Sequence, residues 1–162
     1  MRIVEVQEQD TSELVQMWRA SFEHGVGVTD PHPIEEQIDF LWHHLAPAHR
    51  LRVARRADRI VGFLASNPES IAALYVRVEN IGQGIGSRLL QLAQSESSGS
   101  LWLFTFARNV RARQFYESRG FVAVEYGFES KWRLDDVKYR WLVSRLTAKC
   151  GPSGPDGSAD SI

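Results

Sequence analysis

Apolar residues at intervals of four set the first strong pattern: Leu14, Trp18 and Phe22, with Val15 beside them, mark one buried face of a helix. Asp10 and Glu13 stand at capping-box spacing before it, and glycine at 25 suits a C-terminal cap, so the helix is expected to stop near His24. Ahead of it, Arg2 to Val6 alternates as a short strand. A second helical stripe, Ile34, Ile38, Leu41, Trp42 and Leu45, follows Pro33, whose missing N–H suits a first helical position, and Pro47 ends it.

The period then changes. Leu51 to Arg55 and Arg59 to Ser66 read as strands joined by a polar turn containing Asp58, and a second turn, Asn67-Pro68-Glu69, leads into a third strand, Ser70 to Val78. Ile85, Leu89, Leu90 and Ala93 restore helical spacing from 85 to about 95. Leu101 to Phe106 is a continuous apolar run, the pattern of a strand buried on both faces in a parallel pair. Strand, helix and strand at this length predict a right-handed crossover. Asn109 is placed to cap a helix with Ala112, Phe115 and Tyr116 on its inner face and Gly120 at its end. Phe121 to Glu129 and Lys138 to Ser144 are the last predicted strands, the second with Tyr139, Trp141 and Val143 on one face. No internal repeat is present. About four helices and six to seven strands in mixed order predict an α/β (α+β mixed) domain over 1–147, and the glycine-, proline- and serine-rich stretch 148–162 predicts a disordered tail.

Composition narrows the class. At 162 residues, 43% hydrophobic and 24% charged, the chain suits one soluble domain. A formal charge of -1 gives no global pull toward nucleic acid or an anionic membrane, so neither is expected as a partner. The N-terminus lacks an apolar leader and no 18-residue stretch is free of charge, which predicts a cytoplasmic protein. Cys150, alone and next to the tail, reads as an exposed thiol. His43 and His44 are neighbours that diverge on a helix, so no metal site is expected.

The chemistry gathers at Tyr75 to Leu92. A β-branched strand runs through glycines at 82, 84 and 86 into the helix, where unpaired first amides and the positive end of the helix dipole favour an anion. Phosphate or pyrophosphate is the implied ligand. The dinucleotide fingerprint fails, since Ser87 stands where its third glycine belongs, and a P-loop fails because Gly86 is followed by Ser87 and Arg88.

Ile81-Gly82-Gln83-Gly84-Ile85-Gly86 resembles the acyl-CoA signature of the GNAT superfamily of N-acyltransferases, Gln/Arg-x-x-Gly-x-Gly/Ala, with Ile81 in place of the usual Gln or Arg. Asn109, Ala112, Phe115 and Tyr116, followed by Gly120-Phe121, resemble the second hallmark of that superfamily, in order and at about its usual separation. The resemblance implies a central mixed, mostly antiparallel sheet, splayed between the strand ending at Val78 and the one beginning at Leu101, with acetyl-CoA as acyl donor in the gap. By the same resemblance, backbone groups of Val76 and Val78 pair with the pantetheine arm. The amides of Ile81, Gly82, Gln83, Gly84, Ile85, Gly86 and Ser87 hold the pyrophosphate, and Asn109 and Tyr116 line the groove.

The implied reaction is acetyl transfer to a primary amine of a small molecule or protein, with a backbone amide near Val76 for the oxyanion and Tyr116 protonating the thiolate. Asn109 also reads as a plain helix cap and Tyr116 as a core aromatic. Arg88, Arg111 and Arg113 are candidates for the nucleotide phosphates. No base is assigned: related enzymes often carry a carboxylate or histidine on the strand that here reads Ile71-Ala72-Ala73-Leu74, and Glu69 and Glu79 at its ends read as solvated charges. Acceptor specificity is expected from 24–33 and 125–136, where Glu125, Glu129, Asp135 and Asp136 are interspersed with Lys131 and Arg133. Trp132, Tyr139 and Trp141 read as core or, alternatively, a homodimer interface. Two other functions fit parts of the pattern: a catalytically idle acyl-CoA-binding module, and a domain binding another phosphate ligand, which leaves the motif from Asn109 to Phe121 unexplained.

Overall fold

Residues 1–144 are described by the computed structural model, and backbone pairing sorts their seven strands into two antiparallel sheets. The first has the order β1 (Arg2–Glu5), β2 (Arg50–Arg56), β3 (Arg59–Ser66), β4 (Ile71–Val76), and the second the order β5 (Ser100–Phe106), β7 (Leu134–Leu142), β6 (Val122–Glu129). One parallel bridge, Ser70 to Trp102, joins them at the start of β4; beyond it the two edges part, as predicted for a splayed sheet. Helices α1 (Thr11–Val26) and α2 (Ile34–Phe40) precede the first hairpin. Helix α3 (Ile85–Ser95) connects β4 to β5, and α4 (Val110–Glu117) connects β5 to β6.

β3 lies at the centre of two cores. On one side Phe63 and Ile60 pack with Leu14, Val15, Trp18 and Leu41 of the first helical pair. On the other, Val61 and Leu64 pack with Ile85, Leu89 and Leu90 of α3 and reach Leu101, Tyr116 and Tyr139. Each fully buried leucine contributes about 2 kcal/mol, so α3 is fixed by its apolar face rather than by its sequence propensity. A Cβ on Gly62 would lie 2.9 Å from Ile85 Cγ2 and Leu89 Cδ1, which is how closely α3 sits on β3. At the far end of α3, Glu96 accepts from Arg50 and from the buried Arg52 at 2.9 Å. The Arg52 hydrogen bond lowers its pKa, outweighing burial.

Several boundaries differ from expectation for visible reasons. The capping box at Asp10 and Glu13 is not formed. Asp10 is buried, pairs with Arg55 and accepts from the Gln7 amide at 2.8 Å, while Glu13 accepts from the Ile60 amide at 2.8 Å and from Arg77. α1 runs past His24 because Val26 is buried, and Gly27 ends it at φ 78°. Pro33 is the cap and Ile34 the first helical residue; after Phe40 the chain winds on as a π turn, Leu41–Leu45. β4 stops at Val76, so Val78 belongs to a 3₁₀ turn, Val78–Asn80, and not to the strand.

The largest correction concerns β5. It is not buried on both faces: Leu101 and Leu103 face the core, whereas Trp102 is 40% and Phe104 55% exposed, because among the described residues the helices α3 and α4 cover this sheet on one side. β7 begins four residues before the predicted Lys138, since Arg133 at φ 55° closes a tight hairpin with β6. Tyr139 and Trp141 are core residues, and Val143 is exposed rather than on their face. Residues 145–147, the predicted tail and Cys150 lie outside the described residues.

Candidate active site

The glycine loop follows directly from the way β4 ends. Gly82 and Gly84 take φ of 85° and 83°, values that L side chains rarely adopt, and nothing lies within 4 Å of where their Cβ atoms would be. Gly84 is the cap of α3, and the first bond into that cap is Arg88 N–H to its carbonyl at 3.2 Å. The amides of Ile85, Gly86 and Ser87 therefore lack partners in the helix and stand at its positive end. Gly86 forms the floor: a Cβ there would lie 3.4 Å from the Phe115 ring and 3.5 Å from Val76 Cγ2.

A cavity of about 520 Å³ opens in front of these amides, between β4, α3 and α4. Of the residues singled out from the sequence, Val76, Ile81, Gly82, Gly84, Ile85, Gly86, Ser87, Asn109 and Tyr116 line it. Val78 and Gln83 do not; Gln83 Oε1 is held by Arg56 at 2.5 Å and Asn80 at 3.2 Å.

Val76 offers backbone to this cavity by register. The Arg77 amide donates to the Val61 carbonyl at 2.9 Å, and Val76 lies opposite Gly62. In an antiparallel ladder bonded and non-bonded pairs alternate, so the N–H and C=O of Val76 turn away from β3, toward the gap between the sheets. Its carbonyl accepts from Ser21 Oγ at 2.9 Å, which leaves the N–H available.

Asn109 caps α4, Oδ1 accepting from the Ala112 amide at 3.1 Å, so the cap reading is correct and the residue also faces the cavity. Its amide nitrogen would lie 2.8 Å from a Cβ at Gly25, so only glycine lets α1 pass so close. Tyr116 is packed edge-on against Phe115 and Phe121, at 5.1 and 5.3 Å between centroids. Burial pushes its hydroxyl pKa well above the ordinary tyrosine value, with a smaller push from Tyr75. That hydroxyl has no hydrogen-bond partner among the described residues and keeps its proton at neutral pH, so it is a donor.

Arg111 and Arg119 line the cavity. Arg113 is committed elsewhere, donating to the Tyr139 hydroxyl at 3.0 Å. Arg119 went unnoticed in the sequence. It lies 4.1 Å over the Phe115 ring and donates to Ser87 Oγ at 2.7 Å, and its spacing of four from Phe115 was the available signal.

Tyr75 separates this cavity from two others. One, of about 240 Å³, is walled by aromatic rings, including Trp18, Phe22, Phe40 and Trp132. The other, of about 380 Å³, reaches Asn109, Glu129 and Asp136. The β6–β7 hairpin tip carries Trp132 to 4.9 Å from Phe22 and 5.0 Å from His32, so both segments expected to set specificity meet here. Glu69 and Glu79 line none of the three; Glu79 makes an exposed pair with Arg59 at 3.4 Å. Among the described residues no group of three or more His, Cys, Asp or Glu is placed to hold a metal ion, and no helix is long and apolar enough to cross a membrane.

Residues 47–123 match the family model described as acetyltransferase (GNAT) domain, a span that includes the glycine loop, Asn109 and Tyr116. No curated protein sequence matches the chain. Among solved structures the chain is similar to apo YjaB from Escherichia coli, with 21% identity, TM-score 0.72, and 88% of this chain and 98% of that one covered. It is also similar to a ribosomal-protein-alanine N-acetyltransferase from Brucella melitensis, with 19% identity, TM-score 0.67 and 88% and 100% coverage. A PaiA N-acetyltransferase from Thermoplasma acidophilum, solved with coenzyme A, shares 16% identity and TM-score 0.67 over 87% and 98% of the two chains.

Proposed function

We propose that this chain, which belongs to the GNAT superfamily, transfers an acetyl group from acetyl-CoA to a primary amine of a small molecule or protein, by direct attack on the thioester. The observation that carries the reading is convergence on one cavity. The open amides at the start of α3, the outward N–H of Val76 and the unengaged hydroxyl of Tyr116 all face it. The acyl donor fits that arrangement. Pyrophosphate takes the amides of 85–87 and the charge of Arg119, and the pantetheine arm lies along the free edge of β4, as an added strand would. The CoA complex of the Thermoplasma neighbour supports the choice of donor.

The residues then divide the work. Attack by the amine puts negative charge on the thioester oxygen, and the Val76 N–H, fixed by the ladder, donates to it without reorganisation. The C–S bond breaks, and Tyr116, neutral because it is buried, gives its proton to the departing thiolate. The nitrogen's proton restores the tyrosine, so one proton is released overall for each ammonium acetylated.

The second reading, an acyl-CoA-binding module without turnover, draws on one observation: β4 carries no carboxylate or histidine. Thiol release from acetyl-CoA with a panel of primary amines separates the two. Transfer predicts release that Tyr116→Phe slows about a hundredfold in kcat, with acetyl-CoA affinity within a few-fold of wild type. Tight acetyl-CoA binding with no release for any amine establishes the module instead.

A further inference from the structure

We propose that His32, held by Asp30, is the base that takes the acceptor's proton, and that the aromatic pocket it lines receives a compact arylalkyl primary amine. This rests on the acetyl-transfer reading above and supplies the group that β4 lacks.

The loop between α1 and α2 is built to hold one ring. Asp30 Oδ1 receives the His32 backbone amide at 2.9 Å and sits 2.7 Å from His32 Nδ1. A carboxylate only accepts, so Nδ1 carries the hydrogen, and in the neutral ring Nε2 is the lone-pair nitrogen. Nε2 has no partner among the described residues, although the ring lines the pocket of about 240 Å³. Asp30 is itself held: its side chain is 10% exposed, its amide donates to Glu23 Oε2 at 2.6 Å, and Arg19 lies 3.7 Å from its other oxygen. Trp132 meets the imidazole edge-on from the β6–β7 tip at 5.0 Å. A base whose ring is oriented by a fixed, half-buried carboxylate is the arrangement that proton abstraction needs.

The pocket's place is right for the reaction. Tyr75 is a wall of this pocket and also of the cavity holding Val76 and Tyr116, so the two adjoin, and an amine whose ring lies among the aromatics has to extend its alkyl nitrogen past Tyr75 to meet the thioester. Trp18, Phe22, Phe40, Phe106 and Trp132 favour a flat apolar body, and ring faces also attract an ammonium. The volume excludes a folded chain or a long polyamine lying entirely within it. Besides Asp30 and Arg19, the charged groups lining the pocket are Glu36 and Lys131, one of each sign. In the step itself, one N–H bond of the ammonium breaks and the proton passes to Nε2, giving imidazolium and a neutral amine. That amine attacks the thioester, and the imidazolium returns its proton to water.

The test uses 2-phenylethylamine, spermidine and a peptide with a free N-terminal alanine as acceptors, on wild type, His32→Gln and Asp30→Asn. Acetyl-CoA affinity is measured calorimetrically on each protein. The expected result is turnover of 2-phenylethylamine well above the other two. His32→Gln should cut its kcat/KM at least a hundredfold with acetyl-CoA binding unchanged, and abolish the limb in which log kcat/KM climbs with pH as an imidazole loses its proton. Asp30→Asn should give a smaller loss in kcat/KM, again with acetyl-CoA binding unchanged. If His32→Gln keeps the wild-type rate and limb, His32 is structural and the proposal falls while acetyl transfer stands. Preference for spermidine or the peptide overturns the acceptor class. Normal acetyl-CoA binding with no transfer to any amine overturns the underlying reading, and this proposal with it.

Discussion

Arg119 shows how one side chain can be placed by chemistry that lies outside any motif. Its guanidinium lies over the Phe115 ring, donates to the carbonyl of the same residue at 3.1 Å, and reaches Ser87 in the first turn of α3. A planar cation fixed at three points loses little freedom when it meets a phosphate. Arg119→Ala is therefore expected to weaken CoA binding about five- to tenfold, the worth of about 1 to 1.4 kcal/mol. Acetyl-pantetheine, which lacks the nucleotide, should bind both proteins equally. Calorimetry with the two ligands checks this, and an equal loss for both would place the arginine away from the phosphates. The spacing of four between Phe115 and Arg119 carried a signal for the stack, but on a helix surface many pairs share that spacing and none of the motif positions singles this one out. The His32–Asp30 pair was not legible, because a loop of mixed polar residues gives no period, and only the fold shows that Trp132 comes across to meet it.

Most elements were legible because their periods are clean and their ends carry proline, glycine or asparagine. The turn between β3 and β4 is an example: Asn67 Oδ1 receives the amides of Glu69 and Ser70 at 2.9 and 2.8 Å, as the side chain's length dictates. The errors fell where a tertiary partner outbid a local rule. Asp10 is at cap spacing yet faces Arg55, and the apolar run of β5 marks a sheet whose outer face nothing in residues 1–144 covers. Gly62 is the reverse case, an ordinary glycine in the middle of a strand whose meaning comes from α3. Gly62→Ala puts a methyl into Ile85 and Leu89, and overpacking of this kind costs about 1 to 3 kcal/mol. The thermal midpoint should fall by several degrees. Because the start of α3 must lift, acetyl-CoA affinity should fall as well, whereas a stability loss with unchanged affinity would mean the helix tilts about its first turn.

At the scale of the whole molecule, the two sheets meet at the Ser70–Trp102 bridge and then diverge, so the free edge of β4 and the start of α3 form one concave surface. An unpaired edge in a folded protein invites an added strand, and here the motif order in the chain puts the proposed phosphate site at the end of that edge. A ligand held along both should stiffen the parting sheets together. At a hundredfold excess over its dissociation constant, acetyl-CoA adds about 2.7 kcal/mol to stability. For a domain of this size the thermal midpoint should rise by roughly 5 to 10 °C. Hydrogen exchange locates the effect. The amide of Val76 and those of 82–87 should slow on binding, whereas β1 and its partner β2, on the far side of β3, should change only as global opening becomes rarer. Slowing confined to 82–87 would mean that phosphate alone is held, and that the edge of β4 plays no part in placing the thioester.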